Sequence, residues 1–185
     1  MLHHVQDLIN YQTSYIQDKY IIFSDNLAIG IVLKTEWFGS IIESNISGRK
    51  LKLIDKGFIK PTITIVDKKT NQVVGSISIS NLLTFFPLTI LTLSGNSQYR
   101  WTSPRILDKS WQWINIDTAQ TAIKIKEITG IFKQQASITI IEQNDKDDLL
   151  IAVGIHIRNV VERKAHLIRL MGLLVLVVFV SILFW

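Results

Sequence analysis

The chain of 185 residues has no cysteine. Disulfides, thiolate metal sites and cysteine nucleophiles are therefore excluded, and a reducing compartment is allowed. Gly-rich phosphate loops are absent, as are the patterns GxSxG, HExxH and CxxC. The four histidines fall as His3 and His4, then His156 and His166. Adjacent histidines on a helix point in different directions, and His156 lies in an apolar run, so no metal site is expected. No cofactor is expected either, and nothing points to an enzyme. The start, "MLHHVQDLINYQ", lacks both a basic segment and an apolar core, so it does not read as a signal peptide. The sequon Asn45-Ile46-Ser47 then has no secretory context. Prolines number three, Pro61, Pro87 and Pro104, each near a strand end or in a connection.

Charge is missing from two places. No charged residue occurs between Lys69 and Arg100, and none follows Arg169. The first gap contains "NLLTFFPLTILTL", broken by Pro87 and studded with Ser and Thr, too short for a helical membrane span. It reads as a buried strand pair, with Phe85-Phe86-Pro87 as a tight connection placed to touch a bilayer. The second gap is the C-terminal run. Twelve of the sixteen residues from Leu170 to Trp185 are Leu, Ile, Val or Phe. Counted from Leu167, the run makes a helix roughly 28 Å long, near the ~30 Å of a hydrocarbon core. At about −0.3 to −0.6 kcal/mol each, those twelve contribute roughly −4 to −7 kcal/mol to insertion. Arg169 at one end can snorkel to the interface. A single transmembrane tail anchor over 167–185 is the expectation, carried by Leu167, Arg169, Leu170, Phe179, Phe184 and Trp185. Arg158, Arg163, Lys164 and Arg169 precede the uncharged run from Leu170, which places the N-terminal part in the cytoplasm. The alternative is a helix buried in the domain, since a helix apolar all round can be either.

What is present upstream is mainly β pattern. Residues 1–18 carry a loose apolar stripe, Leu2, Val5, Ile9 and Ile16, and predict a short amphipathic helix. From Tyr20 to about Glu142 the period is two. Leu27, Ile29, Ile31 and Leu33 alternate, as do Leu51 and Leu53 with Lys50 and Lys52. "TITIVDKKTNQVVGSISIS" and "WQWINIDTAQTAIKIKEI" each read as strand, turn, strand, with turns at 68–71 and near 118–121. Ile-, Val-, Thr- and Trp-rich runs between short polar turns predict an antiparallel barrel or sandwich. Trp111 and Trp113 share one strand face and, with Trp101, read as core or as an interfacial belt. After Glu142, Asp145, Asp147 and Asp148 precede an apolar run from Leu149, as at a helix start. The alternation Val153, Ile155, Ile157 also suits a strand, and both readings stay open.

The two strand–turn–strand units, Thr62–Ser80 and Trp111–Glu127, followed by "DDLLIAVGIHIRNVV", resemble the tubby C-terminal-like superfamily, which includes LURP-one-related proteins and phospholipid scramblases. The resemblance covers roughly Tyr20 to Val161. It implies a closed antiparallel barrel of twelve strands around one hydrophobic helix. That barrel would occupy 19–163, with its core helix near 147–161, leaving 167–185 free as the anchor. The departure is that only eight to ten strands are convincing in the sequence. This leaves room for a smaller barrel, a pleckstrin-homology-like fold, or the final segment inside the barrel. Scramblases are calcium-responsive as a family, but the acidic trio lacks the spacing and glycine of an EF-hand loop and reads as a helix cap.

The net charge is +5, with a pI near 9.5. Five cations, Arg49, Lys50, Lys52, Lys56 and Lys60, fall within twelve residues. They read as a lipid-headgroup contact, with Phe58 dipping into the interface and Lys124 and Lys126 extending the patch. The resemblance implies the same, because tubby proteins bind phosphoinositides through basic surfaces. The bland alternative is a solvated hairpin whose lysines protect a strand edge. Nucleic-acid binding is not expected, because exposed aromatics are not interleaved with the basic residues. The sequence thus predicts a non-enzymatic, membrane-bound barrel docked on anionic phospholipid. The alternatives are an accessory subunit bound to a protein partner in a larger membrane complex, and scramblase-like lipid movement.

Overall fold

The computed structural model describes residues 8–14, 19–25, 27–34, 41–57, 60–80, 88–102, 110–129 and 134–183. Twelve strands precede one helix: β1 (Leu8–Ser14), β2 (Lys19–Ser24), β3 (Leu27–Lys34), β4 (Ile41–Ile46), β5 (Arg49–Lys56), β6 (Thr62–Asp67), β7 (Gln72–Ile79), β8 (Thr89–Leu93), β9 (Gln98–Thr102), β10 (Ser110–Asn115), β11 (Thr121–Thr129), β12 (Gln134–Ile140) and α1 (Asp147–Leu183). From β2 to β12 every strand pairs antiparallel with the next in sequence. These eleven strands form one sheet whose edges are β2 and β12. β1 pairs with both edges, Tyr11 standing opposite Ile22 on one side and Ala136 on the other, and the order closes into a ring.

Period-two alternation builds the wall. Leu51 and Leu53 point inward and are fully buried, while Lys50 is exposed. Ile63 and Ile65, Ile77 and Ile79, Leu91 and Leu93, and Ile123 and Ile125 line the same interior. Local hydrogen bonds shape the turns. The Asp67 carboxylate accepts from the Lys69 and Thr70 amides at 2.8 and 3.2 Å, which brings Asn71 into the left-handed region at φ 57°. Asn115 does the same for Asp117 and Thr118. Bulges at Ile22/Phe23, Ile65/Val66 and Trp113/Ile114 increase the local twist, as a closed sheet requires.

α1 fills the interior. Its start is a reciprocal cap. The Asn144 carboxamide oxygen accepts from the Lys146 amide at 2.8 Å, and the Asp147 carboxylate accepts from the Asn144 amide at 3.0 Å. Leu149, Leu150, Ile151, Ala152, Val153, Ile155 and Ile157 are all buried, on every side of the helix. Trp113 donates its indole N–H to the Leu150 carbonyl at 2.9 Å. Gly154 lets the helix approach the wall. A Cβ there would lie 3.0 Å from Trp101 and Ile125 and 3.1 Å from Trp113. The Trp101 and Trp113 rings meet at 4.8 Å between centroids, so the tryptophans that are close in sequence form core rather than a belt.

Several expectations are corrected. Residues 8–14 of the segment read as an amphipathic helix are strand β1. The physical reason is non-local: β2 and β12 each present a row of unpaired backbone groups, and one strand between them satisfies both. The domain expected at 19–163 therefore supplies only an open sheet of eleven strands, and does not close as a barrel by itself. The core helix near 147–161 and the segment 167–185 are not two helices. One unbroken helix of 37 residues runs from Asp147 to Leu183. Among the described residues no helix is long and apolar enough to cross a membrane, which overturns the transmembrane helix expected over 167–185. The described apolar exposure on α1 runs from Met171 to Val180. Ten residues at 1.5 Å each make about 15 Å, half of a ~30 Å hydrocarbon core.

Candidate membrane-docking surface

The strand directions give the barrel two unlike ends. α1 starts at the end where β4 turns into β5, β6 into β7, β8 into β9 and β10 into β11. Arg49 marks that junction by donating to the Asp145 carbonyl at 3.1 Å, and the Lys146 ammonium reaches the Ser97 hydroxyl at 3.0 Å. This end is called the base. Further along the helix, the Arg158 guanidinium stacks 4.8 Å above the Trp111 ring, beside the start of β10. That is the opposite end, the mouth, from which α1 leaves. Inside the barrel Val160 is 7% exposed, whereas Leu174 beyond it is 67% exposed.

Beyond the mouth the helix is an apolar rod. Met171, Leu173, Leu174, Val175, Val177, Val178, Phe179 and Val180 are all exposed. They surround the helix, so no polar face remains to be solvated. Ser181 hides its hydroxyl by donating to the Val177 carbonyl at 2.8 Å. Of the residues expected to carry the anchor, Phe179 belongs to this rod. Leu167, Arg169 and Leu170 lie in α1 with side chains outside the described residues, and Phe184 and Trp185 lie outside them altogether.

The five cations of 49–60 do not gather at one end. They run the length of β5. Arg49 sits at the base, held by Asp145. Lys50 and Lys52 face outward on the wall, Lys52 opposite Glu43 of β4. Glu43 also accepts from Lys68 at 2.8 Å. Lys56 ends the strand at the mouth, and Lys60 is exposed in the connection that follows. At about 3.3 Å per residue, Arg49 and Lys56 are ~23 Å apart. Lys124 and Lys126 do not extend this patch. β11 lies six places from β5 in a ring of twelve, on the opposite wall. Phe58 and Phe85-Phe86-Pro87 fall outside the described residues. Leu88, which the sequence did not single out, is 50% exposed at the mouth. Its amide donates to the Ser80 hydroxyl at 2.7 Å, and its carbonyl accepts from the Ser80 amide at 2.8 Å.

Carboxylates crowd the base. Tyr99 is held above its ordinary pKa, first by burial and then by Glu142, Asp147, Asp145 and Asp117. Burial raises the pKa of Asp147, although the Asn144 amide opposes the shift. Burial also raises Asp148, against the Ser47 hydrogen bond and the Arg49 charge. The acidic trio thus belongs to the helix start, and the capping residue that the sequence reading missed is Asn144. Its signal was the spacing Asn144-x-x-Asp147, a box between an amide and a carboxylate. Among the described residues no group of three or more His, Asp or Glu side chains is placed to hold a metal ion. His156 is buried in the barrel core. No family model, no curated protein and no solved structure matches the chain.

Proposed function

We propose that this protein is a non-catalytic membrane-docking barrel, held by the projecting end of α1 and drawn to anionic phospholipid by its basic residues. The observation that carries the reading is the apolar rod from Met171 to Val180, exposed on every side. A surface of that kind has no stable place in water. On an insertion scale its seven Leu, Val and Phe residues contribute about −0.3 to −0.6 kcal/mol each, roughly −2 to −4 kcal/mol in all. That is a weak hold, comparable to a single acyl chain, and stable attachment needs a second signal. Basic residues at the surface supply about 1 kcal/mol each near anionic lipid. The cytoplasmic leaflet, which carries such lipid, is the proposed location. We also propose a distant relation to the tubby C-terminal-like superfamily, supported by antiparallel strands wrapped around one hydrophobic helix.

The test is flotation of the full chain with vesicles of phosphatidylcholine and phosphatidylserine. The parent chain is expected to float, and the double variant Leu174→Arg/Val178→Arg to remain in the aqueous fraction. Arginine costs about 2.5–3.5 kcal/mol at a lipid-buried site, so two reverse the balance. A parent chain that stays behind refutes the reading. Recovery instead in a stoichiometric complex would assign the rod to a partner's apolar groove.

A further inference from the structure

We infer that the barrel stands end-on, its mouth against the headgroups of an anionic bilayer, with Lys56 and Lys60 as the contact cations and the base turned away. The inference rests on the membrane reading above and adds an orientation and a choice among the five candidate cations. α1 is continuous from the barrel interior to the apolar rod, so the rod fixes which end of the barrel faces its solvent. The ten residues from 161 to 170 add about 15 Å between the mouth and the rod. A headgroup layer takes ~5–7 Å of that. The mouth then lies within roughly one Debye length, 8–10 Å, of the lipid charge. Arg49 stands ~23 Å further away along β5. Screening weakens its interaction by on the order of tenfold relative to Lys56.

The chemistry of the two ends agrees with this placement. The base is of mixed charge: Lys68 and Lys69 stand in one turn and Asp117 in another, and Arg49 and Lys146 lie beside Glu142, Asp145, Asp147 and Asp148. An anionic surface gains little from an end whose cations are offset by neighbouring carboxylates. At the mouth the exposed described groups include Lys56, Lys60, Leu33 and Leu88, with Lys126 toward the same end of β11. Lysines beside an exposed apolar side chain suit an interface between water and lipid. A side-on barrel, lying along β5, would instead use Lys50 and Lys52.

The absence of cysteine makes the test direct. Single cysteines replace Lys60 and Leu88 at the mouth, Lys52 on the wall, and Ser94 and Thr118 at the base, each in the full chain carrying an environment-sensitive fluorophore. The vesicles contain equal amounts of phosphatidylcholine and phosphatidylserine, plus a lipid with a quencher on its headgroup. Labels at 60 and 88 are expected to be quenched, and those at 94 and 118 to be unaffected. In parallel, Lys56→Gln/Lys60→Gln is expected to weaken vesicle partitioning about 30-fold, at fivefold per lysine. Lys50→Gln/Lys69→Gln is expected to change it less than about twofold. Quenching at 52 equal to that at 60 would establish side-on docking and overturn the inference. So would quenching at the base, or flotation with no label quenched. Each of these leaves the membrane reading intact. Failure of the parent chain to float removes both.

Discussion

Removing α1 in two steps separates its two roles. A chain ending at Arg163 keeps Leu149, Leu150, Ile151, Val153, Ile155, Ile157 and Val160, the large side chains buried in the barrel. A chain ending at Lys146 loses all seven. At about 1.5–3 kcal/mol for each fully buried side chain, their burial contributes on the order of 10–20 kcal/mol. This is an upper figure, because the unfolded chain already buries part of that surface. Even half of it rivals the ~5–15 kcal/mol that separates a folded domain from its unfolded state. The inward faces of the sheet, from Ile22 to Ile138, would also meet an empty interior. The chain ending at Lys146 is therefore expected not to fold. The chain ending at Arg163 is expected to unfold cooperatively in urea, followed by the emission of the buried Trp101 and Trp113, and to elute as a monomer. Its loss of the apolar rod should abolish flotation with vesicles. A cooperative transition in the chain ending at Lys146 would show that the barrel stands without its plug, and the packing argument would fail.

Two further substitutions probe the core and the helix start. Gly154→Ala gains about 1 kcal/mol of helix propensity and loses about 1–3 kcal/mol to overpacking against Trp101, Trp113 and Ile125. The net is expected between no change and about 2 kcal/mol of lost stability by urea titration, and a variant more stable than the parent would show that the tryptophans give way. Asp147→Asn tests a pH dependence: burial raises the folded-state pKa of Asp147, so the folded chain binds its proton more tightly than the unfolded chain does. The group's contribution is therefore fully present below the unfolded carboxylate pKa and is lost as pH rises through the folded one. An asparagine oxygen still accepts from the Asn144 amide. The stability of the variant relative to the parent is thus expected to rise between about pH 3 and pH 7, and parallel pH curves would refute this.

The sequence was legible where structure is local. Leu51 and Leu53 between lysines gave an inward and an outward face, and Asp67 to Asn71 gave a turn, because each depends on residues within one hairpin. The helix start at Asp147 was legible for the same reason. β1 was not. The stripe read over residues 1–18, Leu2, Val5, Ile9 and Ile16, has a helical spacing, and only Ile9 of it falls in β1, which becomes a strand through two edges more than a hundred residues apart in the chain, β2 and β12. Nor was the separation of Lys124 and Lys126 from Lys50 and Lys52, which share an alternation but stand on opposite walls. The polar stretch from Glu162 to His166 read as a boundary between a core helix and a tail. Helix propensity does not stop at such residues, for Glu, Arg, Lys and Ala are all good helix formers. The six residues from Val161 to His166 contain no glycine or proline to end a helix.

That continuity has a mechanical consequence. Ten flexible residues between barrel and rod would give a root-mean-square reach of about 17 Å, in any direction. The same ten residues as helix give about 15 Å in one direction. The reach is similar, but the orientational freedom is not. With a flexible tether the barrel would tumble over the bilayer, and its five cations would contribute according to their average height. With a continuous helix held inside the barrel at Gly154, Trp101 and Trp113, the rod and the barrel core share one helix. The packing of the core then sets the angle at which the protein meets a membrane. A substitution deep in the barrel that loosens this contact would alter docking without touching any residue that faces lipid.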